Sequence, residues 1–155
     1  MEKAPGLPDY QSLAELRHQI RRFLHFSEQN ARKAGLEPRQ HQLMLALKGL
    51  PPQRRPRVAE LAERLQIQHH SAVELLNRLA AGGYVRRHRG GLDRREVLLS
   101  LTPKGEKVLR ELSIQHKSEL RSAGPALVKA LRRVMNGINS GSRKSSKNQG
   151  TRKRA

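Results

Sequence analysis

The chain has 155 residues, one domain's worth, and its 35% hydrophobic content with only 3% aromatics predicts an aliphatic core. Lysine and arginine number 32 against 13 acids, and the resulting net charge of +19 predicts a polyanionic partner, nucleic acid first. The absence of cysteine excludes disulfides, thiolate zinc sites and cysteine redox sensing, and no apolar run approaches the roughly 18 residues of a membrane span.

The opening MEKAPGLPDY has no apolar signal core, so a cytoplasmic protein without a membrane role is expected, and these ten Pro/Gly-rich residues are expected to be loose. Leu13, Leu16, Ile20, Phe23, Leu24 and Ala31 then recur at helical spacing, on a helix too long for so small a domain to cover. Glu37 to Leu50 predicts a connecting helix with Pro38 in its first turn and Leu43, Met44, Leu47 and Leu50 inward. A stiff, basic linker follows, in which Arg54, Arg55 and Arg57 are placed either to contact phosphates or simply to be solvated.

Val58 to Leu65 reads as a short helix with Val58, Leu61, Ala62 and Leu65 inward, and only Gln66-Ile67-Gln68 separates it from the next. From His69 to Leu79 one stripe holds Ala72, Leu75, Leu76 and Leu79, while His70, Val73, Glu74 and Asn77 lie opposite, flanked by Ser71 and Arg78. Two helices with so tight a turn predict a helix-turn-helix whose second member enters a DNA major groove. Gly82-Gly83 supplies a left-handed stop, after which the period changes from helical to alternating. Tyr84 to Arg89 is β-compatible and basic, Gly90 to Arg95 is turn chemistry carrying charge, and Val97, Leu99 and Leu101 return as a half-buried strand. The product is a hairpin with a cationic tip, a wing. Thr102-Pro103 then opens another helix, with Thr as N-cap and Pro at the first helical position. Val108, Leu109 and Leu112 face inward on it, and Gly124-Pro125 is expected to break it before Leu127, Leu131, Val134, Met135 and Ile138. The final segment, NSGSRKSSKNQGTRKRA, has no apolar residue larger than alanine and is expected to be a disordered basic tail.

The segments RVAELAERL, HHSAVELLNRLAAGGYVRRH, DRR and LLSLTPKGEKVL, in that order between about Leu36 and Leu120, resemble the MarR-type winged-helix transcriptional regulators. The resemblance implies a mainly α fold with a small β-hairpin wing, a winged helix-turn-helix on a helical dimerisation base. The expected divisions are a dimerisation helix over 10–36, the DNA-binding domain over 37–105, further dimerisation helices over 106–138, and the tail over 139–155. It also implies that Asp93 pairs with Arg95 and that Arg95 reaches a minor groove. Val73 and Glu74 stand where family members often carry a small hydroxyl residue and then a base-reading residue, so the family's base preference does not carry over. A small aromatic or anionic effector near the dimer base is a further implication, with His18, Arg21, Arg22, His25 and His41 as candidate lining; ordinary interface histidines are the alternative.

The candidate base readers are His69, His70, Ser71 and Asn77, whose side chains donate to or accept from base edges. Glu74 suits two roles equally well, accepting from a cytosine amino group or pairing with Arg78 one turn on. Arg78 better fits a phosphate. Arg87, Arg89, Arg94 and Arg95 crowd the wing, where a narrow minor groove concentrates negative potential. The seven histidines lack ligand spacing, and no catalytic or cofactor motif occurs, so neither metal, cofactor nor enzymatic activity is expected. Two readings of function follow. One is a homodimeric regulator, in the sense of a repressor, on a pseudo-palindromic double-stranded operator; the other is a non-specific architectural DNA-binding protein.

Overall fold

The computed structural model describes residues 4–91 and 93–147, with the side chains of 139–147 outside the description. Among the described residues, five helices and one hairpin follow in the order α1 (Leu7–Lys33), α2 (Pro38–Lys48), α3 (Val58–Leu65), α4 (His69–Ala81), β1 (Val85–Arg89), β2 (Val97–Leu101) and α5 (Pro103–Lys147). The chain divides into two compact units, Ser27–His116 and the pair of segments Met1–Phe26 with Lys117–Ala155.

Ser27–His116 is a winged helix. Its core is aliphatic, as the composition requires: Leu43, Met44, Leu61, Leu76, Leu79, Leu99 and Leu112 are all but fully buried. They come from α2, α3, α4, β2 and the start of α5, so each element contributes one apolar stripe to a shared interior. The turn between α3 and α4 depends on Gln66, which adopts the left-handed conformation (φ 52°) and donates its N–H to the Glu63 carbonyl at 3.0 Å. At the other end of α4 it is Gly83 that turns left-handed (φ 76°), while Gly82 stays in the helical region. The hairpin is antiparallel, with Val85 opposite Leu101, Arg87 opposite Leu99 and Arg89 opposite Val97. Leu99 and Leu101 are buried, whereas Val97 lies near the tip and stays exposed. The linker before α3 is pinned to this hairpin, because the Leu99 N–H donates to the Pro56 carbonyl at 2.8 Å.

The start of α5 is locked onto the end of α4. Thr102 Oγ1 accepts the Gly105 N–H at 3.1 Å, the N-cap its sequence predicts, and donates to the Gly83 carbonyl at 2.5 Å. Lys104 Nζ donates to the Gly82 carbonyl at 2.7 Å and sits 4.4 Å above the Tyr84 ring. Gly105 is buried against the Tyr84 backbone so closely that a Cβ there would collide with its carbonyl oxygen.

In the other unit, the described apolar side chains are largely uncovered. Leu7, Tyr10, Leu13, Ile20 and Leu24 on α1 and Val128, Leu131, Met135 and Ile138 on α5 are all exposed, and of the described residues only Gln19 and Ala130 are buried.

Three expectations are corrected. The segment 1–10 is not uniformly loose, because α1 starts at Leu7; Asp9 in its first turn accepts the Gly6 N–H at 2.8 Å and so holds the helix start. Gly124-Pro125 does not divide the C-terminal region into two helices, since α5 is one 45-residue helix with Pro125 inside it. A proline removes one helical hydrogen bond and crowds the preceding turn, at about 3 kcal/mol, and here helix-favouring residues on both sides carry the helix through. Finally, α5 runs to Lys147, so residues 139–147 are helical backbone and not an unstructured tail, while 148–155 lie outside the described residues.

Candidate nucleic-acid interface

The apolar stripe of α4 fixes which residues it can offer outward. With Ala72, Leu75, Leu76 and Leu79 buried, His69, His70, Glu74, Asn77 and Arg78 are exposed, and Ser71 and Val73 are half-buried at the margins. The structure thus places the predicted row on one accessible face. In the wing, Arg87, Arg89, Asp93, Arg94 and Arg95 are all exposed.

Several of these side chains already have partners. Arg87 Nη2 donates to Asn77 Oδ1 at 2.6 Å, a bond that ties the wing to α4 and leaves the Asn77 amide nitrogen as that side chain's outward donor. Arg78 does not turn to Glu74. Its Nη1 reaches both carboxylate oxygens of Glu37, at 3.1 and 3.0 Å, at the residue that caps α2. Both partners are more than half exposed, so the pair contributes little to stability, but it decides where the guanidinium points. Asp93 accepts the backbone N–H of Arg95 at 2.9 Å. That bond shapes the turn, and the ion pair between the two side chains that the resemblance implies is not formed among the described residues.

The linker arginines are held from behind. Arg55 and Arg57 lie 2.7 and 3.6 Å from the Glu96 carboxylate, and Arg54 lies 3.4 Å from Glu60, which also meets Arg64 at 3.3 Å. Glu96 and Glu60 are largely covered (side chains 12% exposed), whereas the three arginines remain about half exposed. Each guanidinium carries five donors, so one acid anchors the group and leaves donors facing solvent. Gly90 is needed beside this anchor, since a Cβ there would come within 2.8 Å of Glu96 Oε2 and 2.9 Å of the Asp93 carbonyl.

His18, Arg21, Arg22 and His25 are exposed on α1 in one unit, and His41 is buried on α2 in the other. Within its unit His41 stacks on His116, ring centroids 5.0 Å apart and 23° from parallel. Burial, with the neighbouring His116 adding to it, lowers the His41 pKa to about 4, and burial also lowers that of His116. His41 is therefore neutral at pH 7 and supplies no charge to an anion. The pairing with His116 escapes a sequence reading, because the two residues lie far apart in the chain and on helices whose contact no local pattern announces. The same holds for Glu37 with Arg78 and for Glu96 with Arg55.

A sequence model of the MarR family matches residues 34–96. No curated protein matches the chain. Among solved structures, AbsC, a MarR family transcriptional regulator from Streptomyces coelicolor, superposes with a TM-score of 0.68 at 18% identity, over 92% of this chain and 99% of its own. The transcriptional repressor CouR bound to a 23-mer DNA duplex is 26% identical over 80% of this chain and 89% of its own, with a TM-score of 0.59. A mutant MepR from S. aureus bound to an oligodeoxyribonucleotide gives 0.60 at 17% identity over 88% and 96%. Residues 34–96 thus match the MarR family in sequence, and the chain that carries them has the fold of solved MarR-family transcription regulators.

Proposed function

We propose that this chain binds double-stranded DNA as a homodimer at a pseudo-palindromic site and regulates transcription from it, in the sense of a repressor, without enzymatic activity. The carrying observation is the exposed α4 row beside a wing bearing four exposed arginines, in a winged helix where the apolar stripe of α4 is consumed by the core. α4 enters the major groove and reads bases through His70, Ser71, Glu74 and Asn77; the wing arginines lie along the minor groove. Arg54, Arg55 and Arg57 use their solvent-facing donors on phosphates. Two of the similar structures, the MepR mutant and CouR, are bound to DNA, which supports this reading.

The partner copy covers the uncovered apolar residues of α1 and α5, which in water would each forfeit about 25 cal/mol per Å² of surface left unburied. A two-fold dimer then presents two α4 helices to half-sites about 10 base pairs apart. An effector, if one acts, is a small aromatic or anionic compound, and its charge partners are Arg21 and Arg22 rather than the neutral His41. Selecting bound duplexes from a random pool tests the proposal: an inverted repeat with that spacing is expected, and a pool that stays random overturns it. The net charge of +19 favours a second reading, a non-specific architectural clamp, and that outcome is the one a random pool would indicate.

A further inference from the structure

Glu74 is the only acid on the outward row of α4, in a protein whose proposed ligand is a polyanion. The residue that would neutralise it is available by sequence, since Arg78 lies one turn on in the favourable orientation. The fold removes that option. Arg78 points instead to Glu37, bound at 3.0 and 3.1 Å through both carboxylate oxygens, and no ion pair or hydrogen bond of Glu74 occurs among the described residues. The wing arginine that reaches α4, Arg87, is bonded to Asn77. An exposed carboxylate held between two rows of phosphates is repelled by both unless it meets a hydrogen-bond donor. On the major-groove edge only cytosine and adenine present an amino donor; adenine N7, an acceptor beside its amino group, repels a carboxylate, so cytosine is the base that a carboxylate, which accepts only, matches best.

Resting on the reading that α4 lies in the major groove, we propose that Glu74 is the specificity-determining residue of the α4 row, requiring a cytosine at one symmetric position of each half-site and lowering affinity for DNA that lacks it. The residue acts in two directions: it gains a charge-assisted bond at the right base and costs affinity everywhere else through repulsion. The Glu37–Arg78 pair is what keeps the carboxylate available, as an Arg78 turned to Glu74 would satisfy it within the protein.

The experiment is a selection of bound duplexes from a random pool by the full-length protein, its E74A variant and an E63A variant, followed by titration of the selected and a scrambled duplex at one stated salt concentration. Glu63 is an exposed acid on α3, so E63A makes the same change in net charge outside the row. The wild type should select a motif with cytosine at one position per half-site. E74A should lose that preference by about ten- to a hundredfold while binding the scrambled duplex more tightly than wild type does, and E63A should keep the motif. An E74A motif identical to that of wild type overturns this inference alone, as does the same loss in E63A. A wild type that selects no motif overturns the groove-reading itself.

Discussion

The stacked imidazoles of His41 and His116, both with pKa values lowered by burial, make the winged helix sensitive to acid, His41 being the more deeply buried of the two. His41 is 2% exposed, and its pKa of about 4 lies below the 6.5 of an unfolded histidine because burial disfavours the cation and His116 stands beside it. As pH falls through about 6.5 the unfolded chain takes up this proton while the folded chain does not. Stability is therefore present above the unfolded value, declines between about pH 6.5 and 4, and the loss, on the order of 3 kcal/mol, is complete below. Urea titrations of wild type and His41→Leu at pH 7 and at pH 4.5 should show a smaller pH difference in the variant; an equal difference would assign the acid sensitivity elsewhere. Gly105 is the complementary case, where space and not charge decides. Gly105→Ala forces the start of α5 away from the Tyr84 carbonyl, and the variant should be less stable by roughly 2 kcal/mol or more in urea unfolding at neutral pH, as overpacking of a rigid backbone contact requires.

At the scale of elements, α4 and the wing divide the work of binding. Asn77→Ala or Ser71→Ala should relax preference at particular base pairs by about 1–3 kcal/mol, whereas Arg95→Ala should weaken binding to operator and unrelated duplexes alike, as competition titrations would report. Exchanged phenotypes would mean that the wing and not α4 reads bases. These elements were legible in the sequence because each announces itself locally: the stripe Ala72, Leu75, Leu76, Leu79 defines α4, and Thr102-Pro103 defines the start of α5. The continuity of α5 through Gly124-Pro125 was not, because a proline is a strong local signal and the apolar stripes on either side outweigh it only over many turns. Partners set by tertiary structure were not legible either. Nothing near Arg78 in sequence distinguishes Glu74 from Glu37, and only the packing of α2 beside α4 brings the second within reach.

For the whole molecule, the distribution of apolar surface separates a core that one chain completes from a surface that it does not. The winged helix buries most of its leucines internally, Leu45 being an exposed exception, while Leu13, Ile20 and Leu24 on α1 and Leu131 and Met135 on α5 remain exposed. Light scattering at micromolar concentration should give twice the 17.6 kDa chain mass, and Leu131→Glu with Met135→Glu should shift the particle toward the monomer. A monomeric wild type would remove the second half-site from the account. The central claim, that this strongly basic chain reads base sequence and does not merely coat DNA, is tested most directly by the ratio of affinities for a selected duplex and a scrambled duplex of equal length and composition, at one physiological salt concentration. A regulator of this kind should bind the selected duplex at least about 1,000-fold more tightly, and a ratio near one would contradict the claim and leave charge alone as the basis of binding.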